Sequence, residues 1–146
     1  MTVEIRLLSP EDASALDRLA ADVFDKPISR ELTSEFLNDA RHHVVVGIED
    51  GVVVGMATGV HYVHPDKPAQ LFINEVGVAS SHRGRGIGRG LIERLVRRAE
   101  ELGCTEAWVL TDPDNAAARR LYESVGAEAP PDDCVMYTFR LGGADD

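Results

Sequence analysis

The chain has 146 residues, 44% of them hydrophobic and 27% charged, an ordinary globular composition with enough apolar material for one compact core. Asp and Glu number 25 against 15 Lys and Arg, a net charge of −10 that speaks against a general binder of nucleic acid or of an anionic membrane, whose phosphates reward positive fields, and that suits a cationic partner. No apolar run approaches bilayer-spanning length, and "MTVEIRLLSPEDASAL" carries acidic residues where a secretory leader would be basic and then apolar, so a cytoplasmic location is expected.

In chain order, "VEIRLL" (3–8) alternates like a strand. Ser9, Pro10 and Asp12 then supply a cap, a first-turn proline and an acidic third position ahead of Leu16, Leu19, Ala20 and Val23, which predicts an amphipathic helix. "SRELTSEFLNDA" (29–40) predicts a second helix with Leu32, Phe36 and Leu37 inward. "HHVVVGIEDGVVVGMATGVHYV" reads as two strands around an Asp50-Gly51 hairpin turn.

After "HPDKP" comes "AQLFINEVGVA" (69–79), an apolar strand interrupted only by Asn74 and Glu75 and therefore expected to be central. From Ile87, apolar residues at Leu91, Leu95, Ala99 and Leu102 mark a helix ending at Gly103, with Arg94, Arg97 and Arg98 read as its solvated side. "TEAWVLT" (105–111) is a strand, "NAAARRLYESVGA" a capped helix stopped by Gly126, and "CVMYTFRL" (134–141) a closing strand before a short disordered tail, 142–146.

The order β-α-α-β-β-β-α-β-α-β implies an α/β architecture with one mixed sheet in a single domain, residues 1–141. Cys104 and Cys134 are too few and too far apart for a disulfide scaffold or zinc motif and are read as packing residues. His42-His43 and His61/His64 have spacings that turn their rings to opposite faces of a strand, so no metal site is expected.

"SSHRGRGIGRG" (80–90) joins the central strand to the helix, and a glycine-rich turn feeding a helix exposes unpaired N–H groups and the positive end of its dipole, a phosphate-binding geometry. The stretch lacks the Gly-Lys-Ser/Thr of a P-loop. Its glycines at 84, 86, 88 and 90 also miss the spacing of the dinucleotide fingerprint.

Arg83-x-x-Gly86-x-Gly88 instead resembles the Arg/Gln-x-x-Gly-x-Gly/Ala signature of the GNAT superfamily of acetyl-CoA-dependent N-acetyltransferases, and "NAAARRLYESVGA" is similar to that family's Asn-x-x-Ala…Leu-Tyr-x-x-x-Gly helix. The resemblance implies the GNAT fold and acetyl-CoA as co-substrate. It places the pyrophosphate on the amides from Gly84 to Gly88, Gly86 among them, with charge from Arg83 or Arg85, and it implies backbone contacts to the coenzyme from the strand at Val76 and Val78, with Asn115 in the downstream motif.

Transfer of acetyl from a thioester to an amine requires deprotonation of an ammonium, stabilisation of an oxyanion and protonation of a thiolate. The resemblance implies Tyr122 as the general acid, against the alternative of a tyrosine that only packs on the sheet. It also implies an oxyanion-binding amide from residues 76–78, where Gly77 permits close approach. Glu75, a carboxylate in an apolar strand, is the candidate base if burial raises its pKa; an ion pair is its other reading, and Asp112 is the second candidate. Direct transfer in a ternary complex is expected over a cysteine-linked route.

The resemblance implies an acceptor site built from the first two helices, the hairpin and the C-terminal strand, where Asp22, Asp25, Glu31, Glu35, Asp66, Asp132 and Asp133 would give it an acidic character. "VFD", "NEVGV", "TDPDNAAARRLY" and "CVMYTFRL" are similar to the small aminoglycoside 3-N-acetyltransferases, which implies a polycationic antibiotic acceptor and, by analogy, a homodimer. A protein, peptide or polyamine acetyltransferase and a non-catalytic acyl-CoA-binding module are the alternatives.

Overall fold

The computed structural model describes residues 2–131 and 133–142; Asp132 and the tail residues 143–146 lie outside the described residues. Five strands form one mixed sheet in the order β1 (Glu4–Leu7), β2 (His42–Glu49), β3 (Val52–Tyr62), β4 (Gln70–Val78) and β5 (Ala107–Val109). The first four are antiparallel, and β5 runs parallel to β4. The helices are α1 (Arg30–Asn38), α2 (Ile87–Glu101) and α3 (Ala116–Ser124).

The β2–β3 hairpin forms as its sequence dictates: Asp50 (φ 52°) and Gly51 (φ 77°) are both left-handed, the twist-matched two-residue turn that Asp-Gly favours. Consecutive residues Val44, Val45 and Val46 in β2 are all buried, and since neighbouring strand residues point to opposite faces, both faces of the sheet are covered. Ile87, Leu91, Leu95 and Ala99 of α2 fill one face. The helix can lie this close because Gly55 and Gly59 of β3 leave room for Leu91 and Leu95, and Gly90 of α2 meets Ile5 of β1 where a Cβ would stand 3.3 Å from it.

The opposite face departs from the expected amphipathic helix. Ser9 N–H does donate to the Asp12 carboxylate at 2.9 Å, but the helix is a 3-10 segment, Pro10–Asp17, kinked at Asp12. Val53 N–H donates to the Arg18 carbonyl and Ala20 N–H to the Val53 carbonyl, both at 2.9 Å. Those two bonds draw residues 18–20 into extended backbone alongside β3 and end the helix early. Val23 is nonetheless buried, on this face.

The chain end also differs. No strand forms over residues 134–141, and β5 is cut to three residues at the sheet edge. Cys104 is half-buried and burial pushes its thiol up, consistent with packing, whereas Cys134 is exposed, contrary to its reading as a packing residue. The solvated side of α2 is likewise not wholly wet: Arg94 and Arg98 share Glu101, and one buried nitrogen of each has no hydrogen-bond partner among the described residues.

Two histidines meet across β2 and β3: His43 Nε2 lies 2.8 Å from His61 Nδ1, with stacked rings. Burial, then the charges of His61 and Arg98, lowers His43 to about 4. A histidine depressed in the folded state takes up its proton first on unfolding, so stability is retained above about pH 6.5 and lost as pH falls toward 4. The loss should be on the order of 3 kcal/mol, and urea titrations of His43→Leu between pH 7 and 4 are expected to show it removed. Among the described residues no group of three or more His, Cys, Asp or Glu side chains is placed to hold a metal, and no helix is long and apolar enough to cross a membrane.

Candidate active site

The sheet opens where β4 and β5 part. Their pairing covers only Leu71–Ile73 against Ala107–Val109, so the second half of β4 keeps β3 on one side and, among the described residues, no strand on the other. Ala79 N–H donates to the Val54 carbonyl of β3 at 2.8 Å, and strand periodicity then turns the backbone groups of Val76 and Val78 to the open side. The Arg83 guanidinium donates to the Val78 carbonyl there at 3.2 Å. The free strand edge offers main-chain donors and acceptors to an extended ligand.

A bulge sets which side chains face this opening. Thr58 pairs with Glu75 and Gly59 with Ile73, leaving Asn74 as an extra residue. Leu71, before the bulge, and Val78, after it, both contact the α2 side, at Gly59 and Gly88 respectively. Seven positions apart, they could not share a face in a regular strand. The bulge therefore turns Glu75 and Gly77 to the other face and lets Asn74 join them.

A cleft of about 370 Å³ results, lined by Asn74, Glu75, Val76 and Gly77 of β4, by Arg83, by Val109 and Leu110 at the end of β5, by Tyr122 of α3, and by Asp22, Val23 and Asp25. Gly77 is required here: a Cβ on it would overlap the Val23 carbonyl oxygen. The turn above it is shaped by Asp22, a non-glycine residue at φ 69°, whose carboxylate accepts from Ser80 Oγ at 2.6 Å.

Of the expected catalytic residues, Glu75 and Tyr122 share this cleft and Asp112 does not line it. Glu75 is half-buried and, among the described residues, has no ion-pair partner, so the alternative reading of a structural salt bridge is not realised. Tyr122 is half-buried beside Leu121, and burial raises its hydroxyl above the ordinary tyrosine range. It stays protonated at neutral pH, as a proton donor must. Asp112 is exposed; its carbonyl accepts from Asn115 N–H, and the Asn115 side chain caps α3 by accepting from Ala118 N–H at 3.0 Å.

The glycine loop separates into two roles. Gly84 (φ 78°) and Gly86 (φ 77°) are left-handed and have open space around them, and Gly86 is the N-cap of α2. Gly88 fits against Leu121 of α3, 3.3 Å from where its Cβ would be. The first bond into the helix runs from Gly90 N–H to the Gly86 carbonyl, so the N–H groups of Ile87, Gly88 and Arg89 precede any helical acceptor and stand open with the helix dipole behind them. This set of amides and the free β4 edge fit a pyrophosphate joined to an extended arm.

Glu49, at the end of β2, was not legible as part of this site. It accepts from Arg85 at 2.8 Å and lies 2.9 Å from His82 Nε2, and those two partners hold its carboxyl below the usual glutamate range. Arg85 thus anchors the loop to the sheet. No local pattern signals a contact that spans 36 residues; the Asp22–Ser80 bond, spanning 58, was equally hidden.

A family model described as the acetyltransferase (GNAT) family matches residues 13–127. The chain is 38% identical over 116 residues to an L-2,4-diaminobutyric acid acetyltransferase of Streptomyces coelicolor, covering 77% of this chain and 67% of that protein. It is 36% identical over 81 residues to a protein of the same description from Nocardia farcinica, covering 56% and 41%. The chain thus spans about two fifths to two thirds of the length of these curated relatives. An aminoglycoside acetyltransferase from an uncultured soil metagenomic sample, solved with trehalose, has the same fold, with a TM-score of 0.80 over 95% of this chain and 96% of that one at 23% identity. Since the match takes in the strand, the glycine loop and the tyrosine helix that enclose the cleft, the chain belongs to the acetyltransferase (GNAT) family, whose members take acetyl from acetyl-CoA.

Proposed function

We propose that this chain acetylates a primary amine of a small cationic molecule by direct transfer within a ternary complex. The observation that supports it is the gathering of Asp22, Asp25 and Glu75 in one cleft with Tyr122, beside an open strand edge and a loop of unpaired amides. Acetyl-CoA, when bound, supplies an activated thioester. The amides of Ile87, Gly88 and Arg89 would hold its pyrophosphate, and the backbone of Val76 and Val78 its pantetheine arm, with the Arg83 guanidinium moving off the Val78 carbonyl. Glu75 accepts the ammonium proton, directly or through water, and Tyr122 donates to the departing sulfur. Asp22 and Asp25 hold a further positive charge on the acceptor.

A diamine-bearing acceptor agrees with the relatives described as L-2,4-diaminobutyric acid acetyltransferases. An aminoglycoside, modified at its 3-N position, is the second reading, favoured by three carboxylates where a diamine would need fewer. Thermal unfolding with acetyl-CoA at a hundred times its Kd should add about 2.7 kcal/mol, a rise of roughly 5–10 °C in Tm. Release of free thiol is then followed with L-2,4-diaminobutyrate, spermidine, gentamicin and a lysine peptide. Turnover confined to the peptide would overturn the small-molecule reading; a thermal shift with no turnover on any amine would favour a non-catalytic acyl-CoA-binding module.

A further inference from the structure

The turn that crosses β4 beside the cleft has its backbone fixed on either side of Asp22. Ala20 N–H donates to the Val53 carbonyl at 2.9 Å, and Val23 is buried with its carbonyl against Gly77. Between them Asp22 takes a left-handed φ of 69°, a region that aspartate is among the few side chains to enter at small cost. What the backbone leaves open is the direction of the Asp22 carboxylate.

Ser80 sets that direction. Its hydroxyl donates to Asp22 Oδ2 at 2.6 Å across 58 residues, the short distance of a bond to a charged acceptor. Ser80 is itself held in place: Ala79 N–H donates to the Val54 carbonyl and His82 N–H to the Ala79 carbonyl, both at 2.8 Å, and Ser80–His82 forms a single 3-10 turn at the end of β4. The bond occupies one carboxylate oxygen. Oδ1 of Asp22 makes no hydrogen bond or ion pair among the described residues, and Asp22 lines the cleft that holds Glu75 and Tyr122. Asp25 lines the same cleft with no such tether among the described residues.

A diamine poses a particular demand. Only one of its ammonium groups is deprotonated for attack, and Glu75 is committed to that one. The other stays charged throughout the transfer and needs a fixed counter-charge. A carboxylate held by one oxygen and open at the other meets a cation without first losing the freedom to rotate, whereas Asp25 loses that freedom only when a ligand arrives. On the reading that this cleft acetylates a small cationic amine, we infer that Ser80 is a positioning residue, which aims Asp22 at the acceptor's second ammonium and so makes the site prefer a diamine to the matching monoamine. Ser80 acts through Asp22 and not on the reacting atoms.

L-2,4-diaminobutyrate and 4-aminobutyrate share a chain and a carboxylate and differ by one ammonium. In the wild type, kcat/KM is expected to be higher for the first. Ser80→Ala is expected to cut that preference about tenfold, through the KM for diaminobutyrate, as loss of a hydrogen bond to a charged group does. Ser80→Thr keeps the hydroxyl and should restore the preference. Asp22→Asn keeps an oxygen for Ser80 and a side chain that tolerates the left-handed turn, so Tm should hold while the preference falls as in Ser80→Ala. A wild type without the preference, or a Ser80→Ala variant that keeps it, overturns the inference and leaves acetyl transfer standing. An equal rise in KM for both acceptors overturns it as well, because the turn would then have moved as a whole. A wild type that acetylates neither acceptor overturns it together with the diamine reading on which it rests.

Discussion

Tyr122→Phe is expected to lower kcat at least about tenfold, and up to a thousandfold, with little change in the KM for acetyl-CoA. The substitution removes one oxygen and keeps the ring that packs beside Leu121 near α2, so folding should be unaffected. The pH dependence separates a proton donor from a packing residue. Because burial holds the Tyr122 hydroxyl above its ordinary range, a donor stays competent through neutral pH and fails only at strongly alkaline pH, where it ionises. That alkaline limb should disappear in the Phe variant. A variant with wild-type kcat and the same limb would return Tyr122 to a purely structural role. Glu75→Gln, at the other end of the same chemistry, should also lose at least about tenfold in kcat.

The second large effect is expected at Gly77→Ala. Its Cβ would overlap the Val23 carbonyl oxygen, and the obstacle is backbone, not the tip of a flexible side chain. Either β4 or the 22–25 turn must move, and overpacking of this kind costs about 1–3 kcal/mol. Tm should fall by about 3–10 °C. The displaced turn carries Asp22, Asp25 and the buried Val23, so KM for the amine should rise while the acetyl-CoA thermal shift is retained. An unchanged Tm would show that the turn yields freely and that the close approach contributes nothing to the site.

Local chemistry was legible, and distant contacts were not. The Asp50-Gly51 turn and α2 with its terminal Gly103 each follow from residues within a few positions of one another and stand as expected, as does the place of the glycine loop between β4 and α2. Asn74 and Glu75 were visible as an interruption of an apolar strand, but not as a bulge, which depends on the register with β3. The helix expected through Val23 was shortened because residues 18–20 bond to Val53, far along the chain. Glu49 escaped notice for the same reason: its partners belong to a loop that reaches it only in the folded state. The strand expected over 134–141 has the right alternation, yet a strand needs a neighbour, which alternation does not supply.

The extra residue in β4 stands outside the pairing of the sheet. Asn74 has no partner across the strand and is exposed in the cleft, while Glu75 and Gly77, beyond the bulge, take their facing from their own pairing with Thr58 and Met56. Substitutions at this one position are answerable to what enters the cleft and hardly at all to the sheet. Replacement of Asn74 is therefore expected to change the KM for the amine and to leave the acetyl-CoA thermal shift as it is.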